Sequence, residues 1–206
     1  MTRIPAADRR SALVLAALRV VADRGVAQAT TRAIVAEAGM SLASFHYAFQ
    51  SRDELMAELI RHVVEQEATA VLPHPAVEVP LARGELEPLR QVLRDGLQRY
   101  ADHLRHDPLR EKAMLELTQY ALRSPAMHHL ALAQYERYHA LAAEALDYAA
   151  RRSGSVWLLP VGEVARLLVS LTDGLTIAWL VDRNDTATAR LLDVAADSMA
   201  RLGRPA

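Results

Sequence analysis

Apolar positions recur along this chain at helical spacing. Leu13, Ala16, Ala17, Val20 and Val21 fall at i, i+3, i+4, i+7 and i+8, which predicts a helix over residues 8–24 that Gly25 stops. Ile34, Val35 and Ala38 give a short second helix one apolar face, with Thr30 or Thr31 placed to cap it and Gly39 to end it. Ser41 is placed to cap a third helix, Leu42 to Phe49, in which Phe45 and Phe49 lie four apart and share the inward side. Ser51 to Glu54 has the spacing of a capping box. It opens a long helix, to about Val71, with an apolar band of Leu55, Met56, Leu59, Ile60, Val63 and Val64.

Pro73, Pro75 and Pro80 then mark a connection that cannot continue that helix. Helical patterning resumes from Pro88 to about Arg105, with Leu89, Val92, Leu93, Leu97, Tyr100 and Leu104 on one side. Asp107-Pro108 and Ser124-Pro125 each pair a capping residue with proline at a first helical position, opening helices to about Leu122 and about Arg152. Ser153, Gly154 and Ser155 form a break. The stretch from Pro160 to about Val181 is apolar nearly all round, and Asn184 or Asp185 caps a last helix to about Leu202. The pattern predicts an all-α, nine-helix, two-domain protein. Residues 8–65 form an N-terminal three-helix helix-turn-helix domain, and residues 66–206 a C-terminal helical domain. The boundary falls inside the helix from Arg52, which makes that helix a rigid lever.

Two helices joined by a tight Gly-containing turn form a unit whose second helix fits a major groove. With Phe45 and Phe49 inward, Leu42, Ala43, Ser44, His46 and Tyr47 are left to face outward, with no acidic group among them. Small side chains let a helix approach base edges, and hydroxyl and imidazole groups bond phosphate oxygens. Arg52, in the first turn of the next helix, and Tyr47 are expected at phosphates. Thr31, Arg32 and Ser41 complete the expected DNA-binding set. Pattern alone leaves a plain helical hairpin as the alternative.

Charge sharpens this picture. The chain is nearly neutral, at −1, but residues 1–52 carry seven Arg and three acids, a balance of +4, and the remainder carries −5. A basic end on an acidic body suggests one end that binds a polyanion. Half of the residues are hydrophobic and Gly is scarce, which favours helices. The absence of Cys removes disulfides and thiolate metal sites. No uninterrupted apolar run approaches the roughly 18 residues of a membrane span, and residues 1–5 lack the apolar core of a signal peptide. A cytoplasmic protein without membrane attachment is expected.

At residues 30–55 the chain resembles the DNA-binding domain of the tetracycline-repressor (TetR) family. Thr30 or Thr31, Ile34, Ala38, Gly39, Ser41, Ser44, Phe49, Ser51 and Leu55 match that family's signature, with Met40, Phe45 and Arg52 as conservative replacements. It departs at His46, where the family usually has a phosphate-contacting Tyr, at Ala48 in place of His, and at Ala43 in place of Gly. Those departures suggest a changed operator preference on an intact frame. The resemblance is close over residues 8–65 and architectural beyond them. It implies a ligand-responsive regulator, most commonly a repressor, that leaves its operator DNA on binding a small molecule.

The helix from Pro160 has more apolar surface than one monomer face requires, and helices of that kind hide the surplus in a neighbour or in their own core. The resemblance implies the neighbour, since family members pair through their last two long helices; Asp173-Gly174-Leu175 and Trp179-Leu180 also look like the corresponding helix of many members. Leu168, Leu171, Leu175, Leu191, Leu192 and Met199 are the expected homodimer interface. An effector pocket is expected from Tyr100, His103, Met114, Tyr120, Met127, Tyr135 and Trp179, mainly apolar with a few polar points, suiting a neutral or weakly acidic ring-containing or acyl molecule. The rival class is a helical-bundle enzyme or metalloprotein. Glu136 and His139 have one half of a di-iron spacing without a second copy, and His103 and His106 lie near a charged helix end. No nucleophile elbow, phosphate-binding Gly loop or zinc-protease motif is present. No cofactor, metal or catalytic residue is expected. An interaction module without DNA binding is the remaining alternative.

Overall fold

In the computed structural model, which describes residues 5–71 and 88–206, the first stripe becomes the buried side of α1 (Ala6–Arg24). Gly25 ends α1 at φ +78°, a left-handed value that favours glycine, and its N–H bonds the Val21 carbonyl at 2.9 Å. A 3-10 turn, Val26–Gln28, leads to α2 (Thr31–Glu37), where Thr30 Oγ1 accepts from the Ala33 N–H at 3.2 Å. Gly39, at φ +63°, turns the chain toward α3 (Leu42–Ala48). α4 (Arg52–Val71) opens with Ser51 Oγ accepting from the Glu54 N–H at 3.1 Å and the Glu54 carboxylate accepting from the Gln50 N–H at 2.7 Å. That is the reciprocal exchange of a capping box, with the return bond one residue early. Leu13, Ile34, Phe45, Phe49, Leu55, Met56 and Leu59 are fully buried and form the core of this part.

The remaining helices are α5 (Leu89–His106), α6 (Pro108–Arg123), α7 (His128–Ser153), α8 (Val161–Asp182) and α9 (Asp185–Ala200), so nine α-helices are present among the described residues. Asp107 caps α6 by accepting from the Arg110 N–H at 3.1 Å, with Pro108 in the first helical position. α7 begins three residues after Pro125, following a turn over 125–127. Asn184 caps α9, accepting from the Ala187 N–H at 3.0 Å; Asp185 instead takes hydrogen bonds from Trp179 Nε1 at 2.9 Å and Arg105 Nε at 2.7 Å. A two-stranded antiparallel ribbon, β1 (Ser155–Trp157) with β2 (Gly203–Pro205), was not expected from sequence. The proline-rich connection at 73–80 lies outside the described residues.

Two compact units result: Met1–Gln66 with Asp107–Tyr135, and Glu67–His106 with Glu136–Ala206. The first division, after Gln66, falls inside α4 next to the boundary expected at 65/66. Residues 107–135, which the sequence order places in the second domain, group with the first, and there α6 packs on α1 through a buried side of Ala113, Met114, Leu117 and Ala121. In the second unit α5 lies along α9, and Arg94 reaches Asp193 at 2.8 Å while Arg90 pairs with Asp197.

Three expected interface residues need correction. Leu175, Leu192 and Met199 are buried within their own fold, at 3%, 0% and 0% exposure, and do not form an outer face. Leu168 and Leu171 are half-buried and Leu191 is exposed. The exposed stripes are different: Leu167, Gly174, Ile177, Ala178 and Val181 on α8, and Ala187, Leu191 and Val194 on α9. α8 is also long and apolar enough, by length and composition, to cross a membrane, with 33% of its most apolar window buried. An apolar helix with a partner on only one side presents such a stripe.

Candidate nucleic-acid interface

Phe45 and Phe49 anchor α3 from below, their ring centroids 5.8 Å apart, and Ser41 fixes its start by accepting from the Ser44 N–H at 3.2 Å. The Ser44 hydroxyl turns back to that of Ser41 at 3.1 Å, so both hydroxyls serve the cap. What remains outward is Leu42, Ala43, His46 and Tyr47, all exposed, with Tyr47 at 82%. They form two adjacent rows, 42 with 46 and 43 with 47, each one turn apart. On α2, Arg32 is exposed and Thr31 half-buried. The groups that point outward are therefore aliphatic, imidazole, phenol and guanidinium, and none is acidic.

Two arginines hold this surface from behind. Arg10 is bound within the protein. Its guanidinium lies 4.2 Å from the Phe49 ring centroid, donates to the Ala48 carbonyl at the end of α3 at 2.6 Å, and pairs with Glu54 and Glu58 at 3.1 and 3.2 Å. The Gln50 N–H, and then Arg10, hold the Glu54 carboxyl below its usual range; Arg61, and then Arg10, do the same for Glu58. Carboxyls that titrate lower folded than unfolded contribute stability that is complete above the usual carboxylate range. That contribution is lost as pH falls through their depressed folded values. The thermal midpoint should therefore fall on acidification through and below that range, and Arg10→Met should flatten the dependence. An Arg10→Met variant with the parent's full acid sensitivity would show that other carboxylates set it.

Arg52 and Tyr120 were expected in two different sites, a phosphate contact and an effector pocket, and they bond to each other. Arg52 donates to the carbonyls of Ala29 and Val26 at 2.7 and 2.5 Å and to the Tyr120 hydroxyl at 3.0 Å, with the Tyr120 ring centroid 5.3 Å away. Tyr120 donates in turn to Asp53 at 3.3 Å. One turn earlier on α6, Glu116 accepts from the Val26 N–H at 3.5 Å. The turn that precedes the Thr30 cap is thus gripped from α4 and from α6. No sequence motif signals carbonyl acceptors of this kind.

The other expected pocket residues divide between the units. Met114 and Met127 are buried in the first and Tyr135 is half-buried there. In the second, His103 is half-buried and the Tyr100 hydroxyl meets that of Thr176 at 2.6 Å. Trp179 is covered by the Arg183 guanidinium at 4.1 Å and bonded to Asp185. His139 is held below the usual imidazole range, by burial first and by Arg166 next, against an opposing pull from Asp173. Among the described residues no group of three or more His, Asp or Glu side chains is placed to hold a metal ion.

Two stretches of the chain match known families. Residues 13–59 match the model for bacterial regulatory proteins of the tetR family, and residues 88–204 match the model for the C-terminal region of BetI-type transcriptional repressors. The HTH-type nicotine-responsive transcriptional repressor HdnoR of Paenarthrobacter nicotinovorans is 29% identical over 200 residues, 95% of this chain and 96% of that protein. The multidrug binding protein EbrR complexed with imidazole is 28% identical at a TM-score of 0.66, over 96% of this chain and 97% of that one. A tetR-family member from Streptomyces coelicolor A3 is 29% identical at a TM-score of 0.68, over 95% and 98%.

Proposed function

The chain belongs to the TetR family of bacterial regulatory proteins, as a ligand-responsive DNA-binding repressor, and we propose that it works as a cytoplasmic homodimer that holds its operator through α3 of each protomer. In this reading Leu42, Ala43, His46 and Tyr47 enter the major groove, while Thr31 and Arg32 meet the backbone beside it. The observation that carries it is the cap-fixed α3 with four exposed, non-acidic side chains on one face. Two such heads on one face of a duplex must lie about one helical turn apart, roughly 34 Å, which calls for a dimer. The apolar stripes of α8 and α9 supply a face for it, four helices from two copies making a bundle.

The effector is taken to be an aromatic nitrogen compound, basic or cationic. HdnoR is described as nicotine-responsive, and EbrR has been solved with imidazole, ethidium and malachite green. These favour a basic or cationic aromatic over the neutral or weakly acidic molecule that a mainly apolar lining with a few polar points suggested. The paired hydroxyls of Tyr100 and Thr176, and His139 with Asp173 acting on it, offer the second unit polar groups to orient such a ring. An effector acts by binding the DNA-free form more tightly, and a coupling of about 1–3 kcal/mol changes operator affinity roughly 5- to 150-fold. The test is to recover DNA fragments retained by the purified protein and then add nicotine, ethidium and malachite green. Release by at least one is the expected result. Retention of no sequence preferentially would sink the repressor reading, and release only by acidic or acyl compounds would sink the effector class.

A further inference from the structure

The outward face of α3 lacks the side chains that read purines at two points. From Leu42 to Ala48 there is no Arg, Lys, Asn, Gln, Asp or Glu. Its leading turn instead presents two aliphatic groups, Leu42 at 42% exposure and Ala43, also exposed. Leu42 lies outside the buried core, to which α3 and its C-cap contribute Phe45 and Phe49. The major groove offers one apolar feature to such groups, the C5 methyl of thymine. A small residue next to a branched one also permits close approach, because neither carries a polar atom that must be re-solvated or paired on entering the groove.

We propose that Leu42 and Ala43 read thymine methyl groups, so that each operator half-site carries thymines at neighbouring positions beneath the first turn of α3. This inference rests on the regulator reading above and specifies its ligand. His46 and Tyr47, one turn further on, are left for hydrogen bonds to a base edge or to phosphate oxygens. Specificity here comes from methyl contact and shape more than from paired hydrogen bonds.

The test starts from an operator selected by the purified protein from random duplexes. Each half-site thymine is replaced singly by deoxyuridine, which removes the methyl and leaves base pairing intact, and affinity is read by fluorescence anisotropy. At one or two positions per half-site uracil should weaken binding about fourfold, the worth of one buried methyl. For Leu42→Ala the thymine and uracil operators should converge at one of those positions. Leu42 is exposed, so this variant should keep the parent's thermal midpoint. If uracil is tolerated at every position, the methyl readout is overturned while DNA binding stands. The same holds if Leu42→Ala and Ala43→Gly both retain the parent's full pattern of uracil sensitivity. Retention of no sequence would overturn the regulator reading and this inference with it.

Discussion

Val194→Arg is expected to convert the proposed dimer into a monomer that no longer holds its operator. Val194 is 60% exposed on α9, and Ile177 and Val181 on α8 are 50% and 81% exposed. These are β-branched aliphatics with little contact in their own fold, repeated at helical spacing on two successive helices. Ser170, Gly174 and Ala178 keep one side of α8 low, and a Cβ built on Gly174 meets nothing within 4 Å, so a second helix can come close there. At an interface between identical copies each substitution occurs twice, and like charges brought together in a desolvated patch cost several kcal/mol. Once the pair is lost, each head binds alone, and operator affinity should fall about 100-fold or more. Sedimentation and anisotropy on one preparation measure both effects. Leu192→Arg should behave differently, because Leu192 is fully buried. A charge there has no partner, and the expected result is an unfolded chain, at a cost above about 4 kcal/mol. A Val194→Arg protein that sediments as an intact dimer would move the interface off α8 and α9.

The contrast between Val194 and Leu192 also shows how far the sequence could be read. Periodicity marks burial only where it is one-sided. α1 shows it cleanly, with Leu13, Ala16, Ala17, Val20 and Val21 all buried as expected. α8 is apolar on every side, so its period does not separate the face against its own fold from the face left outside; Leu175 was placed on the wrong one. Caps were legible to within a residue because their signal is local: Thr30 and Asn184, each one of two candidates, and Ser41 and Asp107 all accept from the N–H three residues on, whereas α7 begins at His128 and not directly after Ser124. The arginine clamps were not. Arg10 reaches a carbonyl 38 residues away and Arg52 a hydroxyl 68 residues away, and neither acceptor leaves a trace in composition or spacing. The ribbon of β1 and β2 was missed for a related reason, since three-residue strands are too short to show alternation. The grouping of 107–135 with the first unit depends on α6 packing against α1, which chain order does not reveal.

Arg52→Met should destabilise the reading head without touching its electrostatic footprint on DNA. Met keeps most of the length and apolar bulk of the side chain and removes only the guanidinium. Three hydrogen bonds go with it, to the carbonyls of Ala29 and Val26 and to the Tyr120 hydroxyl. Two of these hold the turn that leads into the Thr30 cap, so the entry of α2, and with it the seat of α3, loosens. Hydrogen bonds from a charged donor contribute more than neutral ones, and losing this set should lower stability by about 2–3 kcal/mol. Operator affinity should then fall alike on all sequences, because the fraction of correctly seated heads falls. The slope of log affinity against log salt should stay at the parent's value, since no phosphate contact is lost. Arg32→Ala, at an exposed cation on α2, should do the reverse: leave the thermal midpoint unchanged and reduce the salt slope by about 1.8, since a dimer loses two phosphate contacts. Tyr120→Phe removes one of the three bonds from the α6 side and should reproduce the Arg52 effect in part, again at constant slope. If Arg52→Met lowers the slope by a full contact and melts like the parent, Arg52 belongs on the DNA, and the clamp between α4 and α6 is incidental.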